Sequence, residues 1–140
     1  MNTATDSGPR TVTSQMVSAD ARLNTLPQHF GKHLIKVEDA IYGWMRELAT
    51  EYRGGFWHFY ELSNGGFYMA PEVEPLILHV DGNGYEGQMS ADAAGITACL
   101  FALSHLSFQI ADEVIGRHYH LLYEFAVDHA EAREILQAID

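Results

Sequence analysis

Apolar residues recur at helical spacing along the first third of the chain. Over residues 18–30, Ala21, Leu23 and Leu26 are apolar and Gly31 supplies a stop. Pro27 lies inside this segment, so the helix either breaks in two or begins there. The spacing predicts a stronger helix over 38–53, with Ile41, Trp44, Met45, Leu48 and Tyr52 on one stripe. Glu38 and Asp39 suit its positive end, and Gly54-Gly55 stops it. The period then changes. Phe56 to Leu62 is rich in aromatic residues, which favour strands. Ser63-Asn64-Gly65-Gly66 is a hairpin turn, Phe67 to Ala70 is the return strand, and Pro71 ends it. After a loop at Glu72-Val73-Glu74-Pro75, Leu76 to Asp81 forms a third strand with Leu76, Leu78 and Val80 on one face. Gly82-Asn83-Gly84 turns the chain into a short fourth strand, Tyr85 to Met89.

Helices close the chain. Ser90 is an N-cap and Asp92 sits in the first turn of a helix running to about Phe108. That helix is apolar almost all round, through Ile96, Cys99, Leu100, Phe101, Leu103 and Leu106, as expected of a helix buried against a sheet. Its row of Ala94, Ala98 and Ala102 allows a neighbour to approach closely. Residues 112–128 and about 130–139 give two further helices. Helices, then strands, then helices is the order of an α+β fold. The expectation is a compact single domain, with a three- to four-stranded antiparallel meander packed by about four to five helices. Residues 1–12 read as a flexible tail and 13–140 as the domain.

Composition narrows the function classes. The 140 residues fit one domain of ordinary size. Eight Lys and Arg face 19 Asp and Glu, a formal net charge of −11, and no basic stripe exists. That argues against direct nucleic-acid binding, which needs cations to neutralise phosphates. Acidity suits either a basic partner surface or plain solubility. One cysteine, Cys99, excludes an internal disulfide and a thiolate zinc site, in keeping with a reducing cytoplasm. No apolar run is long enough to span a bilayer, and the first residues do not read as a signal peptide.

The chemical motifs fail on context. Gly82 to Gly87 matches G-x-G-x-x-G, but Gln88, Met89 and Ser90 separate it from the next helix, and no parallel strand follows. Asp81-Gly82-Asn83 begins like a calcium loop, yet Glu86 and Asp92 occupy the positions that need Gly and Glu. His118 and His120 point to different helix faces, and Gly31 interrupts His29 and His33, so no metal site is expected. Cys99 sits among apolar residues and reads as core. Asp140 adds a negative charge at a helix C-terminus, where the dipole disfavours it, and is a candidate for an acidic contact surface.

One block is recognisable. Gly54-Gly55-Phe56-Trp57-His58-Phe59-Tyr60-Glu61-Leu62-Ser63-Asn64-Gly65-Gly66-Phe67-Tyr68-Met69-Ala70-Pro71 resembles the signature of the ArdB/KlcA antirestriction family. Leu26-Pro27 with Phe30-Gly31, Gly43-Trp44-Met45-Arg46-Glu47-Leu48, Asp81-Gly82-Asn83-Gly84, the segment from Ser90 to Ile96, and the segment from Ile135 to Asp140 extend the resemblance over about residues 20–140. It looks closer to the KlcA branch, because the loop after Pro71 is short and lacks a long acidic run. One departure is Ala130, where the pattern has proline at a helix start.

The resemblance implies a cytoplasmic protein of a plasmid or other mobile element that protects incoming DNA from host type I restriction enzymes. It implies no cofactor and no catalytic residue. The partner is then the restriction enzyme or a host factor acting with it, with no membrane involved and the chain acting as a monomer. Glu61 and Asn64 beside the hairpin turn, Glu72 and Glu74 in the next loop, and Asp140 are the candidate contact residues. Most aromatic residues of the block read as core packing. Two mechanisms compete. Carboxylates could imitate DNA phosphates on the enzyme, or the protein could act indirectly. The acids are scattered along a compact, apolar-rich chain, which favours the indirect route. Two other classes stay open: a small enzyme using His58, Glu61 and His79, which would gather in one cleft, and a partner-binding module with a large apolar patch.

Overall fold

The computed structural model describes residues 11–140. Three strands form one antiparallel sheet in the order β1 (Ser14–Met16), β2 (Trp57–Leu62) and β3 (Phe67–Pro71). Two more, β4 (Leu76–Val80) and β5 (Tyr85–Met89), form a separate hairpin. The helices are α1 (Arg22–Phe30), α2 (Leu34–Leu48), α3 (Ala91–Ser107), α4 (Glu113–Ala126) and α5 (Ala132–Ile139). The α+β class and the segregated order hold. The meander is divided into two sheets, because Pro71 and Pro75 bracket the link after β3 and neither has an N–H for a ladder. Residues 1–10 of the expected tail lie outside the described residues, and Val12 is buried in the core.

Both hairpins follow from their turn residues. Glu61 pairs with Phe67 across the first, and Gly65 takes a positive φ of 93° after Ser63 and Asn64. Val80 pairs with Tyr85 across the second. Alternation along β4 is clean: Leu76, Leu78 and Val80 are buried while Ile77 and His79 face out. In β3 all five residues are buried, as suits a strand covered on both faces.

Packing centres on α3. Ser90 caps it, its Oγ accepting from the Ala93 N–H at 3.1 Å. Eleven of its residues are buried, from Ala93 to Leu106, and only a narrow strip through Phe101 and His105 stays open to water. Its approach to β3 is closest at Gly95. A Cβ there would lie 2.5 Å from both the Met69 carbonyl oxygen and the Ala70 Cβ. One turn on, the Cys99 Sγ lies 3.6 Å from the same oxygen, and burial pushes this thiol up to about 12. A thiol so held is core. Around α3, α2 buries Val37, Ile41, Met45 and Leu48, and α4 buries Ile115, His118, Leu122 and Ala126.

Helix boundaries differ from the periodicity where tertiary contacts intervene. A 3-10 turn, Gly31–His33, leads directly into α2, which starts at Leu34 instead of residue 38. It ends at Leu48, not residue 53. Tyr52 leaves the helical path and its hydroxyl accepts a 2.6 Å bond from the Trp57 indole. Pro27 stays inside α1, between a 3-10 turn at Ala19–Ala21 and Gly31. Among the described residues no helix is long and apolar enough to cross a membrane.

The contrast between two helical glycines is testable. Gly95→Ala forces a methyl group into backbone and should cost about 1–3 kcal/mol in urea unfolding. Gly43→Ala in α2 meets nothing within 4 Å and should stabilise by about 0.5–1 kcal/mol. Equal effects at the two positions would contradict the close approach of α3 to β3.

Candidate functional site

Of the polar groups singled out in the sequence, Glu61 and Asn64 turn inward to the fold, and Glu72, Glu74 and Asp140 stay exposed. Glu61 on β2 meets the His29 imidazole of α1 at 2.8 Å. The Asn64 side chain donates to the Leu121 carbonyl at 2.9 Å and the Glu124 carboxylate at 2.8 Å, both on α4. Its Oδ1 accepts from the Gly66 N–H at 2.9 Å. Every hydrogen-bonding group of that amide except one lone pair is thereby used. Glu72 lies 3.4 Å from His58, and Glu74 is exposed in the same loop. Asp140 is exposed, and its carbonyl oxygen accepts from Asn83 at 3.1 Å.

These five residues do not share one surface. Glu61 and Asn64 stand at the turn end of the first hairpin, and Glu72 follows its opposite end, where Pro71 pairs with Trp57. Asp140 lies at the turn of the second hairpin. Nor do His58, Glu61 and His79 gather in a cleft. They pair separately with Glu72, His29 and Glu86, and His79 belongs to the other sheet. Among the described residues no group of three or more His, Cys, Asp or Glu is placed to hold a metal ion.

Imidazole and carboxylate recur as partners. His33 meets Asp112 at 3.0 Å, and His129 meets Asp92 at 2.9 Å. The Val114 N–H and His33 together hold the Asp112 carboxyl below its usual range. At His129 the tautomer follows from geometry. Its Nδ1 accepts from the Glu131 N–H at 2.9 Å, so Nε2 carries the proton donated to Asp92. The other Asp92 oxygen accepts from the Tyr68 hydroxyl at 2.7 Å. Burial, then this bond, pushes that phenol far up. Glu131 accepts from the Ser90 N–H and hydroxyl, and Glu134 from the Tyr85 hydroxyl. This cluster binds α3, α5 and both sheets together.

The two glycine-rich turns use one device. In each, an asparagine Oδ1 accepts the N–H two residues on, Gly66 for Asn64 and Tyr85 for Asn83, at 2.9 Å in both cases. The amide nitrogen then reaches a helix. For Asn83 the acceptors are the last carbonyls of α5, those of Ala138 at 3.0 Å and Gln137 at 3.3 Å. The Gly82-Asn83-Gly84 motif is therefore a turn that caps a helix end.

One groove open to a partner is not singled out by the sequence. It has a volume of about 570 Å³ and lies between α2, α3 and the β4–β5 turn. Trp44 and Phe101 stack in it at 4.8 Å between centroids, inclined by 13°. In the sequence both fall within apolar helix stripes. A glycine in mid-helix beside Trp44 was the one local signal of an opening.

A family model, Antirestriction protein, matches residues 50–140, from the turn before β2 through α5. The chain belongs to the antirestriction protein family. Antirestriction protein KlcA of Escherichia coli is 48% identical over 94% of this chain and 96% of its own length. YafX of Escherichia coli strain K12, an uncharacterized protein, is 41% identical over 89% of this chain and 85% of its own. A solved structure superposes with a TM-score of 0.88 at 45% identity, covering 96% of this chain and 99% of that one. It comes from work on KlcA and ArdB reporting a novel fold and antirestriction activity against type I DNA restriction systems in vivo but not in vitro. The α+β expectation and the family resemblance both hold for this antirestriction protein.

Two measurements probe how the polar groups hold the fold. Asn83→Ala leaves the end of α5 uncapped and should cost about 1–2 kcal/mol, with faster amide exchange confined first to α5. His118 is buried with its Nδ1 unpartnered. Burial first, then the neighbouring His29 and Arg117, pushes it from its ordinary 6.5 down to about 4. The folded state therefore refuses a proton that the unfolded chain accepts. The stability it carries is present above pH 6.5 and is lost as pH falls towards 4. Against His118→Leu, the wild type should lose roughly 2–4 kcal/mol more over that window. Parallel stability curves would contradict this assignment.

Proposed function

We propose that this chain protects incoming DNA from type I restriction enzymes inside the cytoplasm, without catalysis and through a host factor acting with the enzyme. The observation that carries this reading is the engagement of the acidic side chains. Glu61, Asp92 and Asp112 each face an imidazole within 3.0 Å, while Glu124, Glu131 and Glu134 accept from Asn64, Ser90 and Tyr85. A carboxylate committed to a neighbour inside the fold is poorly placed to imitate a phosphate. The behaviour described for KlcA and ArdB, active in vivo but not in vitro, agrees with a factor that purified mixtures lack.

Direct imitation of DNA is the second reading, favoured by the net charge of −11. Glu72, Glu74 and Asp140 are the candidate contact residues left most exposed, and under this second reading they are the ones we assign to a partner surface. Carriage on a plasmid or other mobile element is the setting in which such protection serves the incoming DNA.

Unmodified phage plated on a type I restricting host should form more plaques when this gene is expressed. Purified chain should leave a purified type I enzyme uninhibited at equimolar ratio. No rescue on plates ends the antirestriction reading. Stoichiometric inhibition in the purified assay overturns the indirect route in favour of imitation.

A further inference from the structure

The groove between α2 and α3 has features that internal packing does not explain. Its apolar surface comes from the Trp44–Phe101 stack with Leu48 and Leu106 beneath. Trp44 and Phe101 are only partly buried. Gly43 stands in its wall, inside α2. Its φ is not positive, and a Cβ built on it would meet nothing within 4 Å. Neither backbone conformation nor a neighbour inside the fold therefore requires glycine there, while glycine weakens a helix interior by roughly 0.5–1 kcal/mol relative to alanine. What the missing side chain does is keep the groove open beside Trp44.

The charge of the groove selects its occupant. Glu47 and Asp81, both exposed, contribute its charged groups, and His79 and His105 its imidazoles. Among the described residues that line it, none is Lys or Arg. An anionic ligand such as a nucleic-acid backbone would meet carboxylates there. A second copy of this chain, with 19 acids against eight Lys and Arg, would bring more repulsion than attraction. The groove also lies where α2 packs on α3, and the side-chain ridges of one helix fit the depressions between those of its neighbours.

We propose that this groove docks a basic amphipathic helix of a partner protein. An aromatic or large aliphatic anchor sits on Trp44 and Phe101, and Lys or Arg on the flanks of that helix meets Glu47 and Asp81. This is the helix-in-groove mode of recognition, with apolar anchors for affinity and rim charges for choice of partner. The inference rests on the reading that the chain works through a host protein, and it names where that protein would bind.

The test uses the whole chain, isotopically labelled, and two synthetic peptides. One is helical with Trp and Leu on one face and Lys on the other; its twin carries Glu in place of Lys. The Lys peptide should shift the magnetic resonance signals of the Trp44 indole and of the Gly43 and Gly82 amides. The twin should bind at least about tenfold more weakly. Exchanging Glu47→Lys together with Asp81→Lys should reverse that preference. Gly43→Phe fills the groove without removing any contact, so it should melt close to wild type yet lose peptide binding and, on plates, phage protection. Equal binding of the two peptides, or shifts confined to another surface, overturns the proposal. So does a Gly43→Phe chain that binds and protects like wild type. Tighter binding of a small planar amine such as benzamidine than of the Lys peptide overturns the helix as occupant. A wild type that fails to protect phage sinks the proposed function instead, and the peptide measurements then decide the groove alone.

Discussion

At Gly95 the backbone of α3 comes so near β3 that one added methyl group would lie 2.5 Å from the Met69 carbonyl oxygen. The rest of the domain is arranged around that approach. Because α3 lies directly on the strand, β3 is buried along its whole length, and α2, α4, α5 and the second hairpin pack on the remaining faces of the helix. A helix apolar round most of its circumference has no stable position at a surface. Its burial forces the other helices to surround it, each offering one apolar stripe and turning its charges outward.

That arrangement explains how an acidic chain with few Lys and Arg holds its edges together. Once α3 occupies the middle, the surrounding elements meet at their rims, where histidine takes the place of the missing cations. His29 joins α1 to β2, His33 joins the turn before α2 to the start of α4, and His129 joins the approach to α5 to α3. Imidazole suits this work because it can donate to a carboxylate without carrying a full charge. The formal charge of −11 therefore overstates how much free carboxylate the molecule offers to a partner.

Much of this was legible in the chain. The N-cap at Ser90, the continuous apolar run after it, and the Asn-Gly turns each carry a local physical signal, and each stands where that signal placed it. What escaped was set by distant contacts. Ser14-Gln15-Met16 has no strand pattern; it becomes β1 because Tyr60, Glu61 and Leu62 offer a free edge. Tyr52 continues the helical period of α2, yet its bond to Trp57 draws it out of the helix. Glu61 and Asn64 looked like contact residues because they are polar beside a turn, and only the positions of His29 and Leu121 reveal their internal partners. The groove was illegible for the same reason, since it exists only where two helices and a hairpin turn meet.

The paired asparagine turns have a chemical consequence. Asn-Gly is the dipeptide in which the following backbone nitrogen most readily attacks the side-chain amide, closing a succinimide that opens to aspartate or isoaspartate. Asn64-Gly65 and Asn83-Gly84 are both of this type. In the folded protein each amide is tethered at both ends, its oxygen to the chain two residues on and its nitrogen to α4 or α5. The reaction needs the side chain to swing free, so folding slows the ageing of its own turns. Should either turn be converted, a donor becomes a carboxylate facing carbonyl oxygens, and at Asn64 also the Glu124 carboxylate. The lifetime of this antirestriction protein and the integrity of its two hairpin turns are thus one property.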